Sequence, residues 1–191
     1  MANIILSILL STLILDKDFT CSALERAGEK GHTEIVKLLV ESGAHADFHG
    51  SDGHGTALQR AAAGGYLEMA QFLVDHGANV NSQAGLRGTP SQIAAFEGHL
   101  DIVRLLIQNH ADVNLVLPRS DRASPRYNYP RRFRTPLHCA ASKGHLDVVR
   151  LLLGNGANVN GIPGGDLGAL LFAAASAEHA SILELLLAHG A

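Results

Sequence analysis

The chain has 191 residues, enough for one domain. Hydrophobic residues make up 47% and charged residues 17%, which suits a folded, soluble chain, while the absence of Trp and only 5% aromatics exclude a core built on large rings. The formal net charge is −3, but six of the fifteen basic residues are gathered in one place, residues 115–134.

Residues 4–15, from Ile4 to Leu15, carry no charge. The run is too short for a comfortable membrane span, which needs about 20 residues. Asn3, Ser7 and Ser11 fall at i, i+4 and i+8 and would make one narrow polar stripe on a helix. One reading of residues 1–19 is a degenerate second helix of a preceding half-repeat, capping the first full repeat. The other is a secretion signal or membrane anchor. No Lys or Arg precedes the run. Its one small-residue cleavage site, at Cys21-Ser22-Ala23, would cut into the first repeat.

From residue 20 onward one pattern recurs. Anchored on the residue after a short Ala-rich run, it returns at Gly31, Gly65, Gly98, Gly144 and Glu178, with spacings of 34, 33, 46 and 34. A period near 33 means stacked units rather than one globule. The boundaries fall near 20–53, 54–86, 87–114, 133–165 and 166–191. Each unit predicts two helices and a loop.

The first helix starts at Ser22, Thr56, Thr89, Thr135 or Ala169. Ser and Thr side chains accept hydrogen bonds from free helix-start amides. Pro90 and Pro136 suit the first helical turn. Ala61-Ala62, Ala94-Ala95, Ala140-Ala141 and Ala173-Ala174 let neighbouring helices approach closely. A Gly-His or Gly-Tyr pair then breaks the helix in four copies.

The second helix buries one face, as Ile35/Val36/Leu38/Leu39 and Val148/Val149/Leu151/Leu152 illustrate. It ends at Gly43, Gly77, Gly156 and Gly190, positions suited to a left-handed backbone. In the third unit that position is His110, an expected weak point. Other departures are Ser91, where the other units place Leu, and Glu178, where they place Gly. Cys21 and Cys139 lie in different units, too far apart to pair, and read as free thiols in a reducing compartment.

Between Asn114 and Thr135 lie 20 residues, against 7 between Asn81 and Thr89. This insertion, 115–134, holds six of the fifteen basic residues, one acid, three prolines and two of the three tyrosines. Its net charge is +5, leaving −8 for the rest of the chain. It reads as a cationic arm on an acidic body. Such an arm suits an acidic protein partner; an Arg-rich loop of this size is a weak signal for nucleic acid. The plainer alternative is a proline-stiffened loop lying against the acidic body. Ser124-Pro125 between Arg122 and Arg126 is a candidate phosphosite, where phosphate would cancel nearly two positive charges. At the other end of the array, the fifth unit lacks the polar outer face of an end cap, which suggests a longer array or a packed end.

The motifs of residues 135–160 are Thr135-Pro136-Leu137-His138, then Gly144-His145-Leu146-Asp147-Val148-Val149, then Gly156-Ala157-Asn158-Val159-Asn160. With their four weaker copies they make the chain resemble ankyrin-repeat proteins over roughly residues 20–191. The resemblance implies an all-α solenoid of stacked helix-turn-helix units, with β-turn or loop fingers projecting from one edge. It also implies a concave groove lined by the first helices.

Eleven histidines do not change this picture. His32, His99, His145 and His179 share one repeat position, taken by Tyr66 in the second unit, so they should be spaced along the stack rather than converge on one ion. Asp47, His49, Asp52 and His54 share a finger but match no strong zinc pattern. No nucleophile elbow, phosphate loop or His-Glu-x-x-His motif occurs. The expectation is therefore a non-catalytic adaptor or scaffold, with no cofactor and no metal, that binds another protein. Candidate contacts are Asp52, His54, Arg60, Arg87, Phe96, Glu97, Ser142 and Lys143, with Arg119, Arg122, Arg126, Tyr127, Tyr129, Arg131, Arg132 and Arg134 of the arm. Cytoplasmic and nuclear settings both fit; in the nucleus the chain would be a transcription co-regulator whose arm serves import or docks acidic partners. A secreted or membrane-associated protein using residues 1–15 is the third alternative.

Overall fold

The computed structural model describes residues 17–49, 55–85, 88–116, 135–160, 169–176 and 179–191. These residues form ten helices and no strand. In chain order they are α1 (Lys17–Lys30), α2 (Thr33–Glu41), α3 (Ala57–Gly64), α4 (Leu67–Asp75), α5 (Pro90–Glu97), α6 (Leu100–Gln108), α7 (Pro136–Lys143), α8 (Leu146–Gly154), α9 (Ala169–Ser176) and α10 (Ala180–Ala188). The odd-numbered helices pack on one another in sequence order to make an inner layer. The even-numbered helices do the same in an outer layer, and each pair is a hairpin. The architecture is an all-α repeat solenoid.

Its core runs the length of the stack. Ala61, Ala62, Ala94, Ala95, Ala140 and Ala141 have no solvent exposure, so inner helices meet nearly backbone to backbone. Leu58 and Leu137 fill the space beneath. Ser91 holds the matching place in α5; its Oγ is buried and finds no hydrogen-bond partner. An unsatisfied buried hydroxyl costs about 1–3 kcal/mol. Outer helices contribute Val36, Leu39, Met69, Leu73, Ile102, Leu106, Val149, Leu152, Ile182 and Leu186.

Helix starts follow the repeat in α3, α5 and α7. Thr56, Thr89 and Thr135 sit in extended conformation, and each side chain accepts from the backbone amide three residues on. The first unit differs from expectation. Ser22 does not start a helix: α1 begins at Lys17, so both Ser22 and the 19/20 boundary lie inside it. No Gly or Pro occurs between residues 17 and 27 to stop the helix running back.

The expected weak point is present. His110 has φ of 65°, the one non-glycine residue with positive φ among those described. Gly43, Gly77, Gly156 and Gly190 hold the same place with φ between 82° and 100°. Left-handed backbone costs a residue with a Cβ about 1–2 kcal/mol. Part of that is offset by the extra freedom of glycine when unfolded. His110→Gly should therefore stabilise the chain by about 1 kcal/mol, raising Tm by about 2–4 °C in a calorimetric scan. An unchanged or lower Tm would mean that the imidazole contributes a compensating contact.

The thiol of Cys139 is unpaired and buried in α7. Burial pushes it up to about 12. In a Cys21→Ser chain, a thiol reagent at neutral pH should leave the native protein unlabelled and add one equivalent after denaturation. Rapid native labelling would show that the inner layer opens.

Candidate functional site

Most of each repeat is occupied in fastening it to the next. At the start of α3, Thr56 and Gln59 form a reciprocal cap: Gln59 N–H donates to Thr56 Oγ1 at 3.3 Å, and Thr56 N–H to Gln59 Oε1 at 2.7 Å. The remaining amide of Gln59 crosses to the following finger and donates to Ala84 O at 2.7 Å and to Gly88 O. Gln92 repeats the arrangement, with Nε2 donating to Leu115 O at 3.1 Å. In α7 the position is His138, whose Nδ1 lies 2.7 Å from Thr135 Oγ1.

The far end of each inner helix is also fixed. Gly65, Gly98 and Gly144 end α3, α5 and α7 in left-handed conformation. The ring of the next repeat lies against each: His99 on Gly65, His145 on Gly98, His179 on Gly144, with Tyr66 on Gly31. His99 Nε2 lies 3.4 Å from Ala63 O and His145 Nε2 3.0 Å from Phe96 O. These rings tie neighbouring units, as the repeat spacing implied. No three His, Cys, Asp or Glu side chains among the described residues are placed to share an ion.

A third fastening runs along the finger bases. Asp47 accepts from Asn79 N–H, Asn81 from Asp112 N–H and Asn114 from Asn158 N–H, each at 2.8 Å. Asn81, Asn114 and Asn160 also donate to the carbonyls of His110, Gly156 and Gly190. The links from Asn114 and His145 span the insertion, so the extra residues between repeats three and four leave the register intact.

Beside these fastenings, the pair of residues before each inner-helix glycine varies from repeat to repeat: Glu29-Lys30, Ala63-Gly64, Phe96-Glu97 and Ser142-Lys143. The second member of every pair is exposed, and no two pairs are alike. Phe96 itself is buried, against the expectation of an exposed contact. Lys143 Nζ stands 4.4 Å from its ring centroid, a cation–π contact between α5 and α7. Ser142 is half-buried, and its hydroxyl donates to Cys139 O at 2.8 Å.

Arg60 also departs from expectation. Its side chain is 5% exposed, lying 4.0 Å from Glu25 and 3.8 Å from Glu29 on α1. It clamps repeat one to repeat two rather than presenting a charge to a partner. Glu29 and Lys30 were not among the expected contacts, although repeat alignment puts them level with Ser142 and Lys143. Asp52, His54, Arg87, Ser124 and the arm residues Arg119, Arg122, Arg126, Tyr127, Tyr129, Arg131, Arg132 and Arg134 lie outside the described residues, as does the segment 1–15.

Helix pairs stacked in two layers, with rings, caps and an Asn/Asp ladder joining neighbours, define a linear repeat protein whose variable, exposed edge is the end of the inner layer. The family model described as ankyrin repeats (three copies) matches residues 3–84, 24–116 and 92–191, and the chain belongs to the ankyrin-repeat family. No curated protein matches it. Ankyrin repeats are protein–protein interaction modules.

Proposed function

We propose that this chain is a non-catalytic adaptor or scaffold that recognises a protein partner along the inner-layer edge and the fingers beside it. One observation carries the reading. The residues each repeat shares are spent on caps, rings and ladder, whereas the exposed residues directly ahead of Gly31, Gly65, Gly98 and Gly144, which are Lys30, Gly64, Glu97 and Lys143, differ in charge and size. None of the shared caps, rings or ladder bonds fixes their identity, so they supply specificity on a rigid frame. Rigidity keeps the ordering cost of binding low.

The +5 charge of residues 115–134 against −8 elsewhere favours an acidic segment on the partner. Complementary charge raises association rate and selectivity more than affinity. A cytoplasmic or nuclear setting fits a family of interaction modules with an unpaired buried thiol.

The test compares captured proteins, by mass spectrometry, for four full-length chains. These are the wild type, a Lys30→Glu/Lys143→Glu chain, an arm with its arginines changed to Gln, and an outer-layer control, Arg104→Glu/Arg150→Glu. The reading expects one set of partners to be lost from the second and third chains and retained by the control. Loss from the control alone would transfer recognition to the outer layer. Imaging the tagged wild type and arm variant reads the compartment, with nuclear exclusion of both arguing against a nuclear role.

A further inference from the structure

One position of the outer helix is buried in every repeat but the first. Met69, Ile102, Val148 and Ile182 are 0–2% exposed, whereas their equivalent in α2, Ile35, is 47% exposed. One turn on, Leu38 is 37% exposed, while of its equivalents Leu105 is 6% exposed and Phe72, Leu151 and Leu185 are half-buried. The difference follows from the stack. α4, α6, α8 and α10 each rest against the outer helix of the repeat before them; among the described residues no outer helix precedes α2. Two neighbouring aliphatic side chains left open at the end of a repeat stack are where a capping element would seat.

We infer that residues 4–15 of this same chain cover Ile35 and Leu38, standing in as the outer helix of a preceding half-repeat. Three independent observations select this occupant. The segment ends at Leu15, one intervening residue (Asp16) from the start of α1 at Lys17, so it is tethered close to the first hairpin. It is uncharged, so seating it against two aliphatic side chains desolvates no ion. As a helix its twelve residues would span about 18 Å, enough to lie along the nine residues of α2. The ankyrin match also starts at residue 3, taking the segment into the repeat pattern. Its polar stripe of Asn3, Ser7 and Ser11 would face water, with Ile5, Leu9 and Leu13 on the opposite side against α2. The segment is then part of the fold and is not available to a membrane.

The test uses the full chain with Cys21→Ser, so that the buried Cys139 is the only native thiol, and adds Leu38→Cys as a reporter. With the native segment, the reporter should react with a bulky maleimide about tenfold more slowly than after Leu9→Asp/Leu13→Asp. Ser7→Asp, on the polar stripe, should leave the slow rate unchanged. Hydrogen exchange of α6 and α8 checks that the array stays folded. A second chain, with Cys21→Ser, Leu9→Cys and Ile35→Cys, should form an intramolecular disulfide under mild oxidation. Equal labelling rates with and without the aspartates would overturn the inference. So would protection that rises with protein concentration, which assigns the patch to a second copy, or protection that requires phospholipid vesicles, which assigns the segment to a membrane. A disulfide that is only intermolecular would also overturn it.

Discussion

His138→Gln should leave the protein about as stable as wild type at pH 7.5 and more stable by about 2–3 kcal/mol at pH 4.5. His138 is buried at the start of α7, and burial pushes its imidazole down from 6.5 to about 4. The folded chain therefore holds it neutral between those values, whereas the unfolded chain protonates it. In that window the unfolded state binds more protons, so stability falls as pH falls. Each pH unit corresponds to about 1.4 kcal/mol, giving the stated magnitude at two units below 6.5. Above pH 6.5 both states are neutral and the residue contributes no pH dependence.

The choice of Gln comes from the chain itself. Gln59 and Gln92 hold the same repeat position and close a reciprocal cap with Thr56 and Thr89. A Gln at 138 can do so with Thr135 without a titrating group. Denaturant midpoints followed by circular dichroism at the two pH values give the answer, because every other titrating group is common to both proteins. Equal acid sensitivity in the two would mean that His138 is solvated in the native state.

Much of the fold could be read from residues at fixed spacing. The Thr cap, the Ala pair, the glycine break and the left-handed strain at His110 are local features, set within one repeat by backbone geometry and small side chains. The ring at His99 and His145 was legible as structural because its recurrence forbids convergence. Less legible was anything that depends on the neighbouring repeat. Arg60 looked like a surface charge because Glu25 and Glu29, 35 and 31 residues earlier, come beside it only after α1 and α3 stack. Phe96 looked exposed because Lys143, beyond the insertion, closes over it in space. Ser22 kept the look of a cap although the flanking sequence lacked any residue to end the helix before it. The expected contacts that survive as exposed, Glu97 and Lys143, are those whose position the repeat alone decides.

Gly98→Ala and Gly156→Ala should have unequal effects although the two glycines share a φ of 82°. At Gly156 a Cβ would meet nothing within 4 Å, so the cost is that of left-handed backbone alone, about 1–2 kcal/mol. At Gly98 the same atom would lie 2.5 Å from Cε1 and 2.6 Å from Nδ1 of His145. That ring cannot simply swing aside, because its Nε2–H donates to Phe96 O at 3.0 Å. Overpacking adds about 1–3 kcal/mol, so Gly98→Ala should cost about 2–5 kcal/mol in denaturant unfolding. The excess measures the ring contact. It should shrink in a His145→Ala background, where the clash is absent from both members of the comparison. Because the ring joins repeats three and four across the insertion, Gly98→Ala should also move Phe96 relative to Lys143 and weaken partner capture below what lost stability alone explains. Equal costs at the two glycines would mean that the imidazoles sit loosely against the stack, and that the alignment of the inner edge comes from the helix packing and the Asn/Asp ladder instead.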